Sequence, residues 1–550
     1  MHDIKSKAGE RPGRLTAVCL AILGMGLQGF ALAQVAAPAP AAADIQAKAD
    51  ASQRQVTVTE YIVRGNTVLD QRTIEKTVTP FLGPKRTLKD IEDARDALLA
   101  AYNDKGYQSV YVDLPEQDVA GGVVFLVVSE TKVGRVRVVG AQYNSPVEVR
   151  NQVPALKEGA VPDFTQAQVE LTALNRGGKR QVMPLVKQGS VPGTMDVDLK
   201  VEDSSPWQGN VGLNNDYSPD TAHLRANFSV TNSNMFQMGH TASLSLLVSP
   251  QDVSQTRVWS GSYNAPLRGT DWALEASGYV SNSNVATVGG TGVLGKGHTI
   301  GLKAIYTVPN TGIWWHSFSA GIDFKDTEQT LSLGGAESKV PLKYAPVTLA
   351  YAGFLQNERS SYGLNMSLVS GTRSILGYGD DRDSFDNNRV DALPSFIVLK
   401  ADTNATYNFQ NNMQAGFRLS GQLTDSPLVS GEQIAGGGLN SVRGYMSAEA
   451  TGDFGLVGSF ELRTKPLDYL KSAYVESWRA YAFIDAARLG LRDPLVEQDY
   501  KFSLASVGLG SSFKVTQVVD GRVDLGYPLL NGPRTKRHDM MFNFSLNASY

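Results

Sequence analysis

From Trp207 onward, the chain alternates polar and apolar residues in short stretches separated by Gly, Asn, Asp and Pro. In the last stretch, Phe542 and Phe544 share one face of a predicted strand, and Asn543 and Ser545 share the other. We count sixteen such stretches, and an even number of strands is typical of closed barrels in bacterial outer membranes. They begin near residues 207, 223, 240, 257, 272, 295, 315, 340, 360, 394, 414, 455, 478, 501, 517 and 540.

Alternation by itself also fits a soluble β-sandwich or β-repeat protein, because an apolar face can pack against a protein core as well as against lipid. Two features favour the membrane barrel. The strands are more numerous than one sandwich core needs, and the last strand ends in an aromatic residue, Tyr550. Beyond the N-terminal region, no stretch approaches 18 apolar residues, so no transmembrane helix is predicted. We therefore predict a 16-stranded antiparallel transmembrane β-barrel over residues 206–550.

Residues 56–203 follow a different pattern, in which helices are mixed with strands. Thr87 and Asp90 are spaced as a capping box, and the helix that they begin should end at Gly106. Its apolar positions fall on one face, and they are Ile91, Ala94, Leu98 and Tyr102. The unit then repeats, since the strand ending at Gly140 resembles the one ending at Gly65. Two α+β modules are predicted, over residues 56–130 and 131–205.

The N-terminus reads as an export signal. Residues 1–33 combine a basic start, an apolar run and an Ala-Leu-Ala cleavage site, which predicts a secretory signal peptide. An Ala/Pro-rich linker follows at residues 34–55. The one cysteine, Cys19, lies inside the signal, so disulfides, cysteine metal sites and cysteine nucleophiles are not expected in the mature chain. A net charge of −3 gives no reason to expect nucleic acid as a partner.

One glycine-rich loop with a single arginine is a candidate functional site. Residues 436–450 read GGGLNSVRGYMSAEA and lie between the eleventh and twelfth predicted strands. Gly436, Gly437 and Gly438 can adopt the positive φ angles that a re-entrant loop needs, and Arg443 offers a planar fork to a carboxylate. The six histidines are scattered, so no metal and no cofactor is predicted. No nucleophile and base are spaced for catalysis, so no catalytic residues are expected and the protein is not predicted to be an enzyme.

The whole organisation resembles the outer-membrane transporters of two-partner secretion, the haemolysin secretion/activation (ShlB/FhaC/HecB) family of the POTRA-barrel superfamily. Besides the glycine-rich loop, the resemblance rests on the segments KGY at 105–107, LPEQ at 114–117, LTALN at 171–175, VPGT at 191–194 and DLKV at 198–201. It implies two periplasmic POTRA domains, the second of ShlB type, below a barrel in the cell outer membrane, in contact with lipid and lipopolysaccharide. The implied partner is an unfolded secreted exoprotein of TpsA type, exported without ATP.

The resemblance also implies roles for single residues. It implies that residues 430–450 fold into the barrel with Val442, Arg443, Gly444 and Tyr445 at the tip, and that Arg443 pairs with an aspartate in a Phe-x-Asp motif on the thirteenth strand. Phe483 and Asp485 match that motif, although Ala487 stands where the family has glycine. Alternation independently places Asp485 on the polar face, and it places Glu461 and Arg463 there as lumen candidates.

Two other functions remain open. An outer-membrane protein assembly or insertion factor of the same superfamily shares the arginine loop but usually carries three to five POTRA domains, whereas only two fit before residue 206. A passive porin would not need periplasmic modules. The identity of the secreted partner, whether haemolysin-like or adhesin-like, is left open.

Overall fold

The structure is a computed structural model that describes residues 55–119, 121–175, 180–282, 296–309, 313–333, 336–467, 475–496 and 498–550. The predicted signal peptide, residues 1–33, and all but the last residue of the predicted linker lie outside these ranges. Packing divides the chain into two units, residues 1–131 and residues 132–550.

The first unit is an α+β module. Its main sheet has the order β2-β5-β4, in which β2 and β5 are parallel and β4 is antiparallel. The predicted capping box is confirmed at Thr87 and Asp90, and the helix after it buries the four apolar residues that the sequence places on one face. The elements are β1 (Val56–Val58), β2 (Glu60–Arg64), α1 (Gln71–Val78), β3 (Gly83–Arg86), α2 (Leu88–Asp104), β4 (Val110–Asp113) and β5 (Val123–Glu130).

The second unit begins with a module of the same topology. Its sheet order is β6-β8-β7, again with a parallel pair and one antiparallel edge strand. Gly65 and Gly140 end corresponding strands with φ of +86° and +88°, and a Cβ on either would lie 2.3 or 2.6 Å from a carbonyl oxygen of the neighbouring strand. The predicted repeat is therefore confirmed. The elements are β6 (Lys132–Val139), α3 (Pro146–Asn151), α4 (Phe164–Asn175), β7 (Arg180–Gln188) and β8 (Thr194–Asp203).

The rest of the second unit is a closed antiparallel barrel, which confirms the predicted fold class. Its strands up to the long hairpin are β9 (Trp207–Asn214), β10 (Arg225–Met235), β11 (His240–Val248), β12 (Arg257–Pro266), β13 (Trp272–Ser281), β14 (Lys296–Thr307), β15 (Trp314–Leu333) and β16 (Ala336–Tyr344). The remaining elements are β17 (Val347–Gln356), β18 (Ser360–Ser370), α5 (Arg382–Asn388), β19 (Ile397–Asn408), β20 (Gln414–Thr424), β21 (Ile434–Gly436), β22 (Ala450–Gly452), β23 (Phe454–Arg463), β24 (Val475–Gly490), β25 (Lys501–Val515), β26 (Val519–Pro528) and β27 (Met541–Ser549).

Strands β16 and β17 together occupy one position in the barrel wall. The first half of β15 pairs with β17 and its second half pairs with β16, with the break at Ala345 and Pro346. Counted in this way, the described residues form a ring of sixteen strands. The ring is closed by β27 and β9, which pair from Ser545 to Ser549, and Tyr550 exchanges two backbone hydrogen bonds with Gly209.

The two faces of the wall differ as predicted. The outer face is apolar, with exposed side chains that include Leu244, Trp259, Leu302, Phe318, Leu399, Phe460, Ile484 and Phe542. Aromatic pairs lie at the strand ends nearest the second module, such as Trp272 with Tyr306 and Trp478 with Phe513. An apolar band bordered by aromatic residues is typical of an outer-membrane barrel. No helix in the described ranges is long and apolar enough to cross a membrane.

At the end of the barrel away from the second module, the loop between β18 and β19 packs against β16. Its helix α5 buries Phe385, which packs edge-on against Tyr344 with ring centroids 5.6 Å apart. The same apolar cluster contains Leu428 and Val429, which lead into the loop between β20 and β23. The two loops are therefore packed against each other.

Candidate functional site in the barrel lumen

The loop between β20 and β23 enters the barrel, and residues 430–450 are called the inward loop below. It leaves the wall through the short antiparallel pair β21 and β22. Gly437 and Gly438 have φ of +106° and +99°, as the re-entrant shape requires. Gly436 differs from the prediction, because it is paired with Ala450 in extended backbone. A Cβ on Gly436 would lie 3.3 Å from the Cβ of Ala487, so this glycine allows close packing rather than a bend.

Arg443, at the tip of the loop, is completely buried, and all five of its guanidinium N–H groups have acceptors. Nε and Nη2 donate to the two oxygens of Asp485, each at 2.8 Å. Nη1 donates to Glu461 at 2.6 Å and to Asp524 at 3.3 Å. Nη2 also donates to the hydroxyl of Ser459 at 3.2 Å. The sequence-predicted pair of Arg443 and Asp485 is thus brought together.

The backbone and the aromatic motif reinforce this contact. The backbone N–H of Arg443 donates to Asp485 at 3.0 Å. The guanidinium carbon lies 3.6 Å from the ring centroid of Phe483, in stacking contact. Phe483 and Asp485 are two residues apart on β24 and so face the same side. The Phe-x-Asp spacing therefore supplies one aromatic plane and one carboxylate to a single arginine.

Three carboxylates from three strands surround the arginine. Glu461 on β23 binds Arg443 with one oxygen and Arg463 with the other, the latter at 2.6 and 3.0 Å. Arg463 is more exposed and also donates to Gln414. The structure thus places both predicted lumen candidates on the inner face. Asp524 on β26 was not predicted, and it also accepts a hydrogen bond from the hydroxyl of Tyr481 at 2.9 Å.

The residues beside Arg443 pack the tip against the wall. Val442 and Tyr445 are fully buried in a cluster with Ala487, Leu489 and Leu504. The Tyr445 hydroxyl lies 3.0 and 2.8 Å from the carbonyl oxygens of residues 505 and 530. Gly444 has φ of +92°, and a Cβ there would lie 3.2 Å from the backbone of residue 526. The methyl group of Ala487, where the family has glycine, fits this cluster because it packs above Gly436.

Further contacts, which sequence reasoning missed, hold the loop away from its tip. Glu449 accepts hydrogen bonds from the backbone N–H groups of Arg534 and Thr535 and from the Thr535 hydroxyl, at 2.6 to 3.0 Å. Asp216 accepts the backbone N–H of Leu439 at 3.0 Å. These contacts join residues far apart in the sequence. The one signal in the sequence that could have indicated them is an acidic residue at a position expected to face the lumen.

The start of the loop is held by ion pairs. Glu432 is buried and binds Lys325 at 2.5 Å and the hydroxyl of Tyr344 at 3.0 Å. Just beyond the loop, the fully buried Asp453 binds Arg389 at 2.8 Å, which ties it to the loop that carries α5. The inward loop is therefore fixed at its start, its tip and its end by charged or hydrogen-bonded contacts.

In the second module, charges meet on one face of the sheet, across its three strands. Arg137 and Lys187 donate to Asp198 at 2.6 to 2.9 Å. Their hydrogen bonds and positive charge lower the pKa of Asp198 to about 2. Within the described ranges, no group of three or more His, Asp or Glu residues is arranged to hold a metal ion.

Comparisons with known proteins agree with this architecture. A family model described as "Haemolysin secretion/activation protein ShlB/FhaC/HecB" matches residues 193–513. A model described as "POTRA domain, ShlB-type" matches residues 56–131, which form the first module. The outer membrane transporter CdiB of Escherichia coli is 26% identical over 159 residues, which are 29% of this chain and 27% of that protein. The match thus spans under a third of the length of that relative.

Two solved structures share the fold over most of the chain. CdiB from Escherichia coli covers 92% of this chain and 96% of its own, with a TM-score of 0.58 and 20% identity. BamA from Haemophilus ducreyi lacking POTRA domains 1–3 covers 90% of this chain and 100% of its own, with a TM-score of 0.52 and 15% identity. At these identities, the likeness shows the fold alone.

The closed barrel, the modules before it and the loop inside it define an outer-membrane β-barrel protein with N-terminal POTRA architecture. The chain belongs to the haemolysin secretion/activation (ShlB/FhaC/HecB) family, whose model matches more than half of it. The barrel lies in the cell outer membrane and the modules lie in the periplasm. The ShlB type that we expected for the second module, residues 131–205, stays a prediction.

Proposed function

We propose that this protein binds an unfolded secreted partner, a TpsA-type exoprotein, through its POTRA domains and exports it through the barrel without ATP. The observation that carries the proposal is Arg443, a fully buried cation held by three carboxylates on three different strands. A loop pinned at one defined place inside a wet lumen can close the barrel and be displaced as a unit. In this proposal, Gly437 and Gly438 are the hinge and Arg443 with Asp485 is the latch.

The second module offers a surface that could receive an extended chain. Strand β7 is an edge strand, and its Leu185 and Val186 are about half exposed. An extended peptide can add to such an edge through backbone hydrogen bonds, which tolerate varied sequence, while pockets for side chains select an export signal. Docking of the partner on β7 follows from this chemistry.

Export without nucleotide needs another source of direction. Folding of the partner outside the cell buries apolar surface, which stabilises the folded state by about 25 cal/mol per Å². Return through the lumen would require that this surface be exposed again. Folding outside the cell therefore makes export effectively one-way.

The first test asks what the cell secretes. Deletion of the gene should remove one large protein from the culture medium while the outer-membrane barrels of the cell are unchanged. General loss of barrels would instead favour the assembly or insertion factor, whose fold is shared. In planar bilayers, a large, steady and solute-selective pore would favour the passive porin.

The second test asks where the partner docks. Deletion of residues 132–203 should abolish secretion of the protein identified above, while heat-modifiable gel mobility shows a folded barrel. The point variant Val186→Asp should reduce secretion, because a charge on the β7 edge opposes docking. Val191→Asp is the matched control, since Val191 is also exposed in this module but lies outside the strand. Equal secretion by both variants would refute docking at β7.

A further inference from the structure

The inner wall of the barrel has a region made of small hydroxyl side chains. It extends across β10 to β14 and is called the hydroxyl wall below. Two cross-strand pairs are hydrogen-bonded on it, Thr231 with Ser243 at 3.0 Å and Ser245 with Ser260 at 2.7 Å. Ser262 lies directly opposite Ser243 on one side and Ser277 on the other. The hydroxyl wall consists of Ser229, Thr231, Ser243, Ser245, Ser260, Ser262, Ser277 and Thr299.

Space remains in front of this wall. A cavity of about 470 Å³ lies between the hydroxyl wall on one side and, on the other, Asp323 and Lys325 of β15 and the start of the inward loop at Ser430 and Gly431. The side chain of Thr299 faces this cavity, and its hydroxyl is buried without a hydrogen-bond partner among the described residues. A buried hydroxyl is usually hydrogen-bonded, so the Thr299 hydroxyl is available to a group that enters the cavity.

The inward loop lies against a different part of the wall. Its tip contacts β23, β24 and β26 through Arg443. On β20, Arg418 donates to the backbone of Asn440, and Gln422 donates to the backbone of Glu432. The loop therefore contacts β20 to β26 and, through Glu432, Lys325 on β15, whereas the hydroxyl wall lies across the cavity from the start of the loop.

The chemistry of the hydroxyl wall suits a chain of any sequence. A serine hydroxyl donates one hydrogen bond and accepts two, so it can pair with either group of a peptide backbone. A neutral side chain does not retain charged residues as an acidic or basic one would. A path through a membrane must bind its passenger firmly enough for entry and weakly enough for exit. Small hydroxyls meet both requirements, whereas the carboxylates and guanidinium groups on the other side do not.

We infer that the hydroxyl wall is the binding surface along which the secreted polypeptide passes, in extended form, between β10–β14 and the inward loop. The inference rests on the proposed function and specifies the ligand as an extended backbone with little side-chain requirement. A wall about 25 Å tall would be in contact with about seven extended residues at once.

Disulfide cross-linking tests this inference, because Cys19 is the only cysteine of the chain. Single cysteines replace Ser262, Ser277 or Ser420 in a Cys19→Ser background. Ser420 is the matched control, since it faces inward from β20 between Arg418 and Gln422, beneath the loop. The passenger is the secreted protein identified by gene deletion, with one cysteine and a fused domain that stays folded and stalls it in the barrel.

Adducts at positions 262 and 277, at least about fivefold more abundant than at position 420, are expected. Equal adducts at position 420, or a stalled passenger with no adduct at 262 or 277, would overturn the inference while the proposed function stands. If the unaltered protein fails to secrete the passenger, the proposed function falls and the inference falls with it. Gel mobility before and after heating confirms that each barrel is folded, and Ser245→Cys replaces Ser262→Cys if that variant is not.

Discussion

Two regions of the same barrel wall, called the charged half (β23 to β26) and the hydroxyl half (β10 to β14) below, carry different side chains on their inner faces. Across β23 to β26, the inner face carries Glu461, Asp485 and Asp524, and all three carboxylates bind one arginine. Across β10 to β14, the inner face carries small neutral hydroxyls and the ion pair of Lys303 with Glu275 at 2.9 Å, and a cavity lies in front of the hydroxyls. The charged half binds the inward loop in one position, because a buried charge without its ion-pair partner is costly. The hydroxyls of the other half do not need a fixed ion-pair partner, so in the proposed function they can bind successive segments of a passing chain.

The comparison implies that substitutions should act differently in the two halves. In the charged half, groups share partners, so the loss of one leaves others unpaired and the effects are not additive. In the hydroxyl half, each group has a small and separate effect. The following predictions are ordered from the largest expected effect to the smallest.

Arg443→Ala should have the largest effect. It removes the common partner of three buried carboxylates, and breaking a buried ion pair typically costs about 3–5 kcal/mol. We expect a lower temperature for heat-induced loss of the folded gel species, and export at about a tenth or less of the normal level. Arg443→Lys should retain only part of the export and of the thermal stability, because an ammonium group cannot bind both oxygens of Asp485 as the guanidinium group does. Normal export by Arg443→Ala would show that the charged half has no role in positioning the loop.

Asp485→Asn should be more harmful than Asp524→Asn, although both remove one negative charge without changing shape. Asp485 accepts three hydrogen bonds from Arg443, including one from its backbone, whereas Asp524 accepts one at 3.3 Å. Hydrogen bonds to charged groups contribute about 1.5–3 kcal/mol each. Thermal unfolding of the two variants, measured side by side in detergent, checks the order. The reverse order would mean that β26 rather than β24 holds the tip.

Glu449→Ala tests whether the end of the inward loop matters as much as its tip. Alanine removes both carboxylate oxygens, so the backbone N–H groups of Arg534 and Thr535 and the Thr535 hydroxyl all lose the acceptor that Glu449 provides. We expect a loss of about 2 kcal/mol in barrel stability and a smaller defect in export than for Arg443→Ala. Faster cleavage of residues 529–540 by an added protease, compared with the unaltered barrel, would show that this contact has loosened.

Much of this site could be predicted from the sequence because strands have a local period. Alternation alone assigned Asp485, Glu461 and Arg463 to the inner face, and each lies there. The pairing of Arg443 with Asp485 came from family resemblance, since no local rule joins residues so far apart. Nothing local indicated that Glu449 would meet Thr535.

Other features of the fold depend on contacts that a strand pattern does not encode. The strand expected near residue 340 is divided into β16 and β17, because its pairing with β15 is interrupted at Ala345 and Pro346, and proline has no backbone N–H to donate to the neighbouring strand. Gly436 was assigned a bend, but its backbone is extended and its missing side chain makes room for Ala487. Both differences concern pairing or packing between separate segments, which the sequence pattern of one segment does not contain.

Ser245→Ala should have the smallest effect and gives the sharpest test of the comparison. It removes one hydrogen bond, to Ser260, from a half-buried position. A neutral hydrogen bond contributes about 0.5–1.5 kcal/mol, and the lumen can supply water in its place, so barrel stability should fall by less than about 1 kcal/mol. Adding Ser260→Ala should cause no further loss of barrel stability, because the hydroxyl that Ser245→Ala leaves without a partner is then removed as well. A loss comparable with that of Asp485→Asn would mean that the hydroxyl wall is also a cooperative network, and the distinction between the two halves would fail.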